Sequence, residues 1–336
     1  MRVARILGEG EAFYHILSRI VDRRFVLDDG EKERFRRLMR AVEAYSGCQV
    51  LTWACLSNHW HICLRVPAPE PVSDRELIRR LKHLYDQPVV AQIAAELSAL
   101  RSQGRKAQAE ALKARYTRRM YNLSEFVKTL KQRFTMSYNR RHGRKGTLWE
   151  SRFKSVLLEG SRRTLWTLAA YIDLNAVRAG IVSDPQAYRF CGYGEAAAGV
   201  KVARKGLIRV MQSLSQEGMM TSWSRLGRHY RSLLYERGEK EPDRNRGGIA
   251  SGRVEEVLAA GGRLSAHEVL HCRVRYFSDG MILGSRVFVD EMFRRHRNNF
   301  GVERRTGART MCGARWKGLF AARRLQLAPV EPSGVC

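Results

Sequence analysis

The chain has 336 residues, 44% apolar and 28% charged; 61 Lys plus Arg against 33 Asp plus Glu give a formal net charge of +28 and a pI near 10.5. No stretch reaches the roughly 18 to 20 apolar residues of a membrane span, and the seven scattered cysteines include no CxxC pair, which argues against a disulfide framework or a zinc ribbon. A surplus this rich in arginine favours a polyanion, because guanidinium groups bind phosphates bidentately and release counterions.

Residues 11–20, EAFYHILSRI, alternate apolar and polar side chains and predict a first strand. Phe35, Leu38, Met39 and Val42 recur at helical spacing within Glu31–Ala44, and Gly47 suits the end of that helix. CQVLTWACLSNHWHICLRV then reads as two strands hinged at Ser57 and Asn58. This strand, helix, strand, strand order indicates an α+β fold with an antiparallel sheet. Ser73 with Glu76 forms a capping box for a helix to about Tyr85, and residues 88–120, broken at Gly104, read as a helical hairpin. Residues 67–121 are therefore expected to be a helical insertion.

Asn122 with Glu125 opens a further helix whose Phe126, Leu130 and Phe134 share a face, with Tyr138 on the same stripe as a packing residue. It runs into NRRHGRKG, and residues 122–160 hold nine Lys or Arg against three acids. FKSVLLEG reads as a short strand, and Ser161–Ala179 as a helix ended by Gly180. Beyond it, 201–240 looks helical, EKEPDRNRGG is a polar linker, and helix patterns near 253–260 and 286–297 flank a short strand, CRVRYF. The expected division is a first domain over 1–195, a helical linker region over 196–250 and a mainly helical, basic accessory domain over 251–336.

Within SNHWHICLRV the strand period puts His59, His61, Cys63 and Arg65 on one face and Trp60, Ile62, Leu64 and Val66 on the other, buried one. Two adjacent imidazoles can chelate a divalent ion, and they can equally be polar residues on the wet face of a sheet. On LWTLAAYIDLNAVRAG, Tyr171 and Asn175 share a helix face with Thr167 and Arg178. A tyrosine there is either a core residue with its hydroxyl at the rim or a nucleophile beside a metal.

Three segments carry a resemblance. LSNHWHICLRV, SYNRRHGRKGTLWESRFKS and YIDLNAVRAGIV, in that order, resemble the motifs of the single-tyrosine HUH transposases, specifically the REP-associated tyrosine transposases. The resemblance covers roughly residues 11–66 and 122–195 and implies a ferredoxin- or RRM-like core with helices on one or both faces of the sheet. It implies Tyr171 as nucleophile, His59 and His61 as ligands of a divalent metal, Mg or Mn, and Asn175 as the third ligand. Ala176 stands where the family usually has proline, which bears on how Asn175 is presented. The implied partner is single-stranded or hairpin DNA, cleaved with a 5′-phosphotyrosine link and a free 3′ hydroxyl.

Arg140, Arg141, Arg144, Lys145, Arg152 and Lys154 are the candidates for phosphate contacts, with Trp149 able to stack on a base or to pack. The expectations that follow are a soluble, cytoplasmic, nucleoid-associated protein with no membrane segment, acting as monomer or homodimer. The competing reading is a DNA-binding module of the same fold without chemistry; a replication-initiator or relaxase nickase fits the motif order less well.

Overall fold

The computed structural model describes residues 5–212, 266–270, 272–323 and 330–331, with scattered positions between 222 and 234. The helix pattern near 253–260 and the linker EKEPDRNRGG lie outside the described residues. The first strand, β1, is Ala12–Arg19, and α1 follows over Asp29–Ser46. Asp28 caps α1 by accepting from the Glu31 amide at 2.8 Å. Gly47 ends it at φ 72°, where a Cβ would lie 2.5 Å from the Tyr121 ring.

Strands β2, Gln49–Cys55, and β3, His59–Val66, form the hairpin expected around Ser57 and Asn58. The insertion is helical as expected: α2 over Asp74–Leu81, α3 over Gln87–Ser102 and α4 over Lys106–Thr117. Ser73 accepts from the Glu76 amide at 3.1 Å, and Gly104 makes the turn between α3 and α4 at φ 70°. Asn122 caps α5, Leu123–Arg141, through the Glu125 amide at 3.0 Å, and β4, Lys154–Leu158, closes the motif.

These four strands lie in the order β2-β3-β1-β4, all antiparallel, with α1 and α5 packed together on one face. This is a ferredoxin-like βαββαβ core. Its α1/α5 side is aromatic: Trp60 lies 5.5 Å from Phe35 and 6.2 Å from Trp149 between ring centroids, and Phe134 lies 5.9 Å from Trp149. Trp149 is therefore a packing residue, its indole N–H donating to Thr135 Oγ1 at 2.8 Å. Tyr138 packs too, at 4% exposure.

The opposite sheet face is covered by α6, Arg162–Asp173, and α9, Lys201–Met211, with α8, Gly192–Ala197, against β2. The helix predicted to run unbroken to Ala179 is interrupted at Leu174, and a single turn, α7, restarts over Asn175–Arg178. Among the described residues after 265 there are three short α-helices, α10 over Ala266–Leu270, α11 over Arg275–Asp279 and α12 over Arg286–Arg295. CRVRYF is strand only at Arg273–Val274 (β5), which pairs with Val330–Glu331, and turns directly into α11.

The C-terminal region also extends the main sheet. Ile282–Gly284 (β6) pairs in parallel with β4, and Phe320–Ala321 (β8) and Arg309–Thr310 (β7) follow antiparallel, giving seven strands. No described helix is long and apolar enough to cross a membrane.

Candidate active site

The strand period places His59 and His61 toward α6, and β1 adds His15 to the same face, since His15 pairs with Cys63 and Leu17 with His61. The face is not wet. His59, His61 and His15 are 7%, 5% and 1% exposed, because α6 and the segment 272–279 lie over them. The dyad face, read from the sequence as one that could be wet, is thus a covered one.

Each dyad ring is held through Nδ1. Asn58 Nδ2 donates to the Arg23 carbonyl at 3.3 Å, which turns its Oδ1 toward His59 Nδ1 at 2.5 Å. An amide oxygen only accepts, so Nδ1 of His59 carries the hydrogen and Nε2 the lone pair. His61 Nδ1 lies 2.9 Å from His15 Nε2, with the two rings stacked at 5.0 Å and an interplanar angle of 17°. His59 and His61 meet edge to face at 5.1 Å. Among the described residues neither Nε2 makes a hydrogen bond.

Tyr171 joins this group from α6, its ring 6.4 Å from that of His61 and perpendicular to it. The Arg178 guanidinium lies over the phenol ring at 3.9 Å, and Phe277 packs against it at 4.9 Å. The Val274 amide donates to Tyr171 Oη at 3.4 Å, and Arg178 donates to the Leu270 carbonyl at 2.8 Å. Tyr171 is 3% exposed.

Asn175 is buried at 7%, but no hydrogen bond joins its amide to either histidine among the described residues. The interruption at Leu174 means that Asn175 begins a new turn instead of following Tyr171 on one continuous face. Asp173 anchors the end of α6, accepting from Thr52 Oγ1 at 2.8 Å, the Tyr193 amide at 3.0 Å and Tyr230 Oη at 2.5 Å.

Burial sets the charge states. It lowers His59 to about 3 and His15 to about 4 and holds His61 well below the ordinary imidazole range, with the charge of Arg178 acting in the same direction. It raises the Asp173 carboxyl to about 6. The imidazoles are consequently neutral at pH 7, the form in which nitrogen binds a metal. Two neutral imidazoles with Nδ1 engaged and Nε2 unengaged are a donor set suited to a divalent ion. No cluster of three or more His, Cys, Asp or Glu of metal-binding geometry occurs among the described residues, so a site here rests on the dyad plus an amide or solvent ligand.

Residues 10–100 match the family model described as Transposase IS200 like. Over this segment the chain is similar to IS200-like transposases. The match runs from β1 into α3 and takes in His15, Asn58, His59 and His61, while Tyr171 and Asn175 lie beyond the transposase match. A solved structure of a REP-associated tyrosine transposase bound to a REP hairpin is 14% identical, with a TM-score of 0.39, covering 66% of this chain and 100% of that one. No curated protein matches the chain.

The six candidate DNA contacts divide. Arg141 pairs with Glu31 at 2.5 Å and Lys154 with Asp279 at 2.5 Å, while Arg140, Arg144 and Lys145 lie at the end of α5 and in the loop after it. Arg152 lines a groove of about 940 Å³ together with Arg5, Lys128, Lys131, Trp149 and Phe153. None of the residues lining this groove is acidic. The loop that supplies Thr147, Trp149, Ser151, Arg152 and Phe153 to its lining reaches the dyad end of the sheet: the backbone amide of Glu150, itself not a lining residue, donates to the Arg19 carbonyl at 3.0 Å, and Arg19 pairs with His59 across β1 and β3.

His15, Asn58, Phe277 and Lys131 have no part in the sequence-based site. His15 stands on an alternating strand, but its meeting with His61 depends on the β1/β3 register, which local pattern does not specify. Asn58 immediately precedes the dyad, and that adjacency was the available signal.

Proposed function

We propose that this protein is a DNA transposase that cleaves single-stranded DNA beside hairpin-forming repeats, with Tyr171 as nucleophile. The observation that carries this reading is the meeting of Tyr171 with His61, 6.4 Å apart between ring centroids, beside a second imidazole whose Nε2 is also unengaged. In the reaction Tyr171 Oη forms a bond to phosphorus while the bond from phosphorus to the 3′ oxygen breaks. The phenol proton is lost and the departing 3′ oxygen gains one, leaving a 5′-phosphotyrosine and a 3′ hydroxyl. Because one ester replaces another, the same link can be resolved by a second DNA end, which is strand transfer.

His59 and His61 would hold the divalent ion, Mg or Mn, with Asn175 as the third ligand. When bound, such an ion supplies Lewis-acid polarisation of the phosphate and charge stabilisation as the ester exchanges. The chain's own groups do the rest. Asn58 orients His59, Arg178 sets a positive charge against the phenol ring, and Asp173 fixes the end of the helix that carries Tyr171. The acid-free groove lined by Arg5, Lys128, Lys131 and Arg152 is suited to the phosphates of an unpaired strand leading to the dyad. Cleavage requires the Val274 amide and the Phe277 ring to move off the phenol, since both lie on it, while the Phe277 carbonyl can stay on His15.

The second reading, a DNA-binding module without chemistry, draws on the 3% exposure of Tyr171. Incubation with a labelled hairpin oligonucleotide bearing a single-stranded flank, with Mg or Mn, separates the two on a denaturing gel. We expect a covalent adduct from the wild type and none from Tyr171→Phe. An adduct from Tyr171→Phe sinks the assignment of the nucleophile, and binding without adduct under every metal and repeat tested favours the second reading.

A further inference from the structure

We infer that His15 is a positioning residue for His61: through one hydrogen bond it fixes which nitrogen of His61 is left to bind a ligand, and its own setting comes from the backbone of the C-terminal segment. The inference rests on the proposal that His61 is a metal ligand.

The Phe277 carbonyl oxygen lies 2.8 Å from His15 Nδ1. A carbonyl only accepts, so that nitrogen carries hydrogen. A neutral imidazole has one N–H, which makes His15 Nε2 the lone-pair nitrogen. It lies 2.9 Å from His61 Nδ1, and the hydrogen between them must then belong to His61. His61 is held as the Nδ1–H tautomer with its Nε2 lone pair available. The alternative, hydrogen on both His15 nitrogens, demands an imidazolium at 1% exposure whose two hydrogen-bond partners are a carbonyl and an imidazole, neither a carboxylate. Burial without a counter-charge opposes that state.

The parallel with His59 is close, since there the Asn58 oxygen imposes the same tautomer directly. His61 differs in taking its instruction through a second imidazole from residue 277, more than two hundred positions along the chain. Stacking of His15 on His61 also limits rotation of the His61 ring. The C-terminal segment thereby serves the metal-binding half of the site as well as covering its tyrosine.

Two variants and a spectrum test this. His15→Phe keeps a ring and removes both nitrogens, and His15→Gln returns an acceptor near the position of Nε2. In metal-free wild type at pH 7, the two-bond proton–nitrogen spectrum of ring-labelled histidine should show His61 protonated at Nδ1. Titration calorimetry with Mn²⁺ should show affinity about 10- to 100-fold weaker in His15→Phe and largely restored in His15→Gln. Circular dichroism identifies the folded variants; if His15→Phe does not fold, the wild-type spectrum and the glutamine variant decide. His61 protonated at Nε2 in the metal-free wild type, or a folded His15→Phe with wild-type Mn²⁺ affinity, overturns the inference. Wild type that takes up no Mn²⁺ removes the metal proposal instead, while the metal-free spectrum still decides the tautomer.

Discussion

At the scale of single residues, the charge states in the site make stability depend on pH in a definite direction. His15 remains neutral in the folded chain down to about pH 4 and His59 to about 3, and burial holds His61 well below the ordinary imidazole range, whereas unfolded imidazoles take up protons from about pH 6.5. The unfolded state binds more protons over that interval, so stability falls as the pH drops below about 6.5. Asp173 acts oppositely: folded, it keeps its proton up to about 6, so its contribution is lost as pH rises from about 4 toward 6. With three imidazoles against one carboxyl, the urea midpoint should be lower at pH 5 than at pH 7. Asp173→Asn removes the opposing group and should steepen this loss on acidification. A midpoint unchanged or higher at pH 5 would contradict the buried neutral histidines.

At the scale of elements, the interruption between α6 and α7 has a testable consequence. Ala176 is in the first turn of α7, where backbone N–H groups have no intrahelical acceptor. Ala176→Pro should therefore cost well under the ~3 kcal/mol of a proline inside a helix; a loss of that full size in chemical denaturation would mean that the two helices behave as one. The same junction illustrates what sequence could disclose. The caps at Asn122 and Ser73, the turn at Gly104 and the alternation through His59–Val66 follow local rules and are legible residue by residue. The break at Leu174 has no proline or glycine to announce it. Strands as short as Arg273–Val274 and Ile282–Gly284 carry no period at all; their pairing is decided by tertiary contact. His59, His61 and Tyr171 were legible as a group, but their burial was not, because the segment that covers them lies about a hundred residues beyond Tyr171.

At the scale of the whole molecule, a charge of +28 and an acid-free groove lead to a salt effect. The affinity for a single-stranded oligonucleotide should fall linearly with salt on logarithmic axes. Replacing Lys128 and Arg152 together by Ala should reduce that slope by about one to two, at about 0.7 per phosphate contact on a single strand; an unchanged slope would place the strand elsewhere.

The sheet that continues past β4 bears on how the protein can be divided. In the full chain β6 occupies the outer hydrogen-bonding edge of β4. A fragment ending near residue 200, chosen to isolate the ferredoxin-like core, strips β6 from the end of β4 and leaves the Leu157 and Glu159 amides bare beside buried Val156, Leu157 and Leu158. Such an edge is a template for another copy of itself. Sedimentation of that fragment is expected to show self-association beyond any that the full chain shows, and a fragment that associates no more than the full chain would contradict the role of β6 as an edge cover.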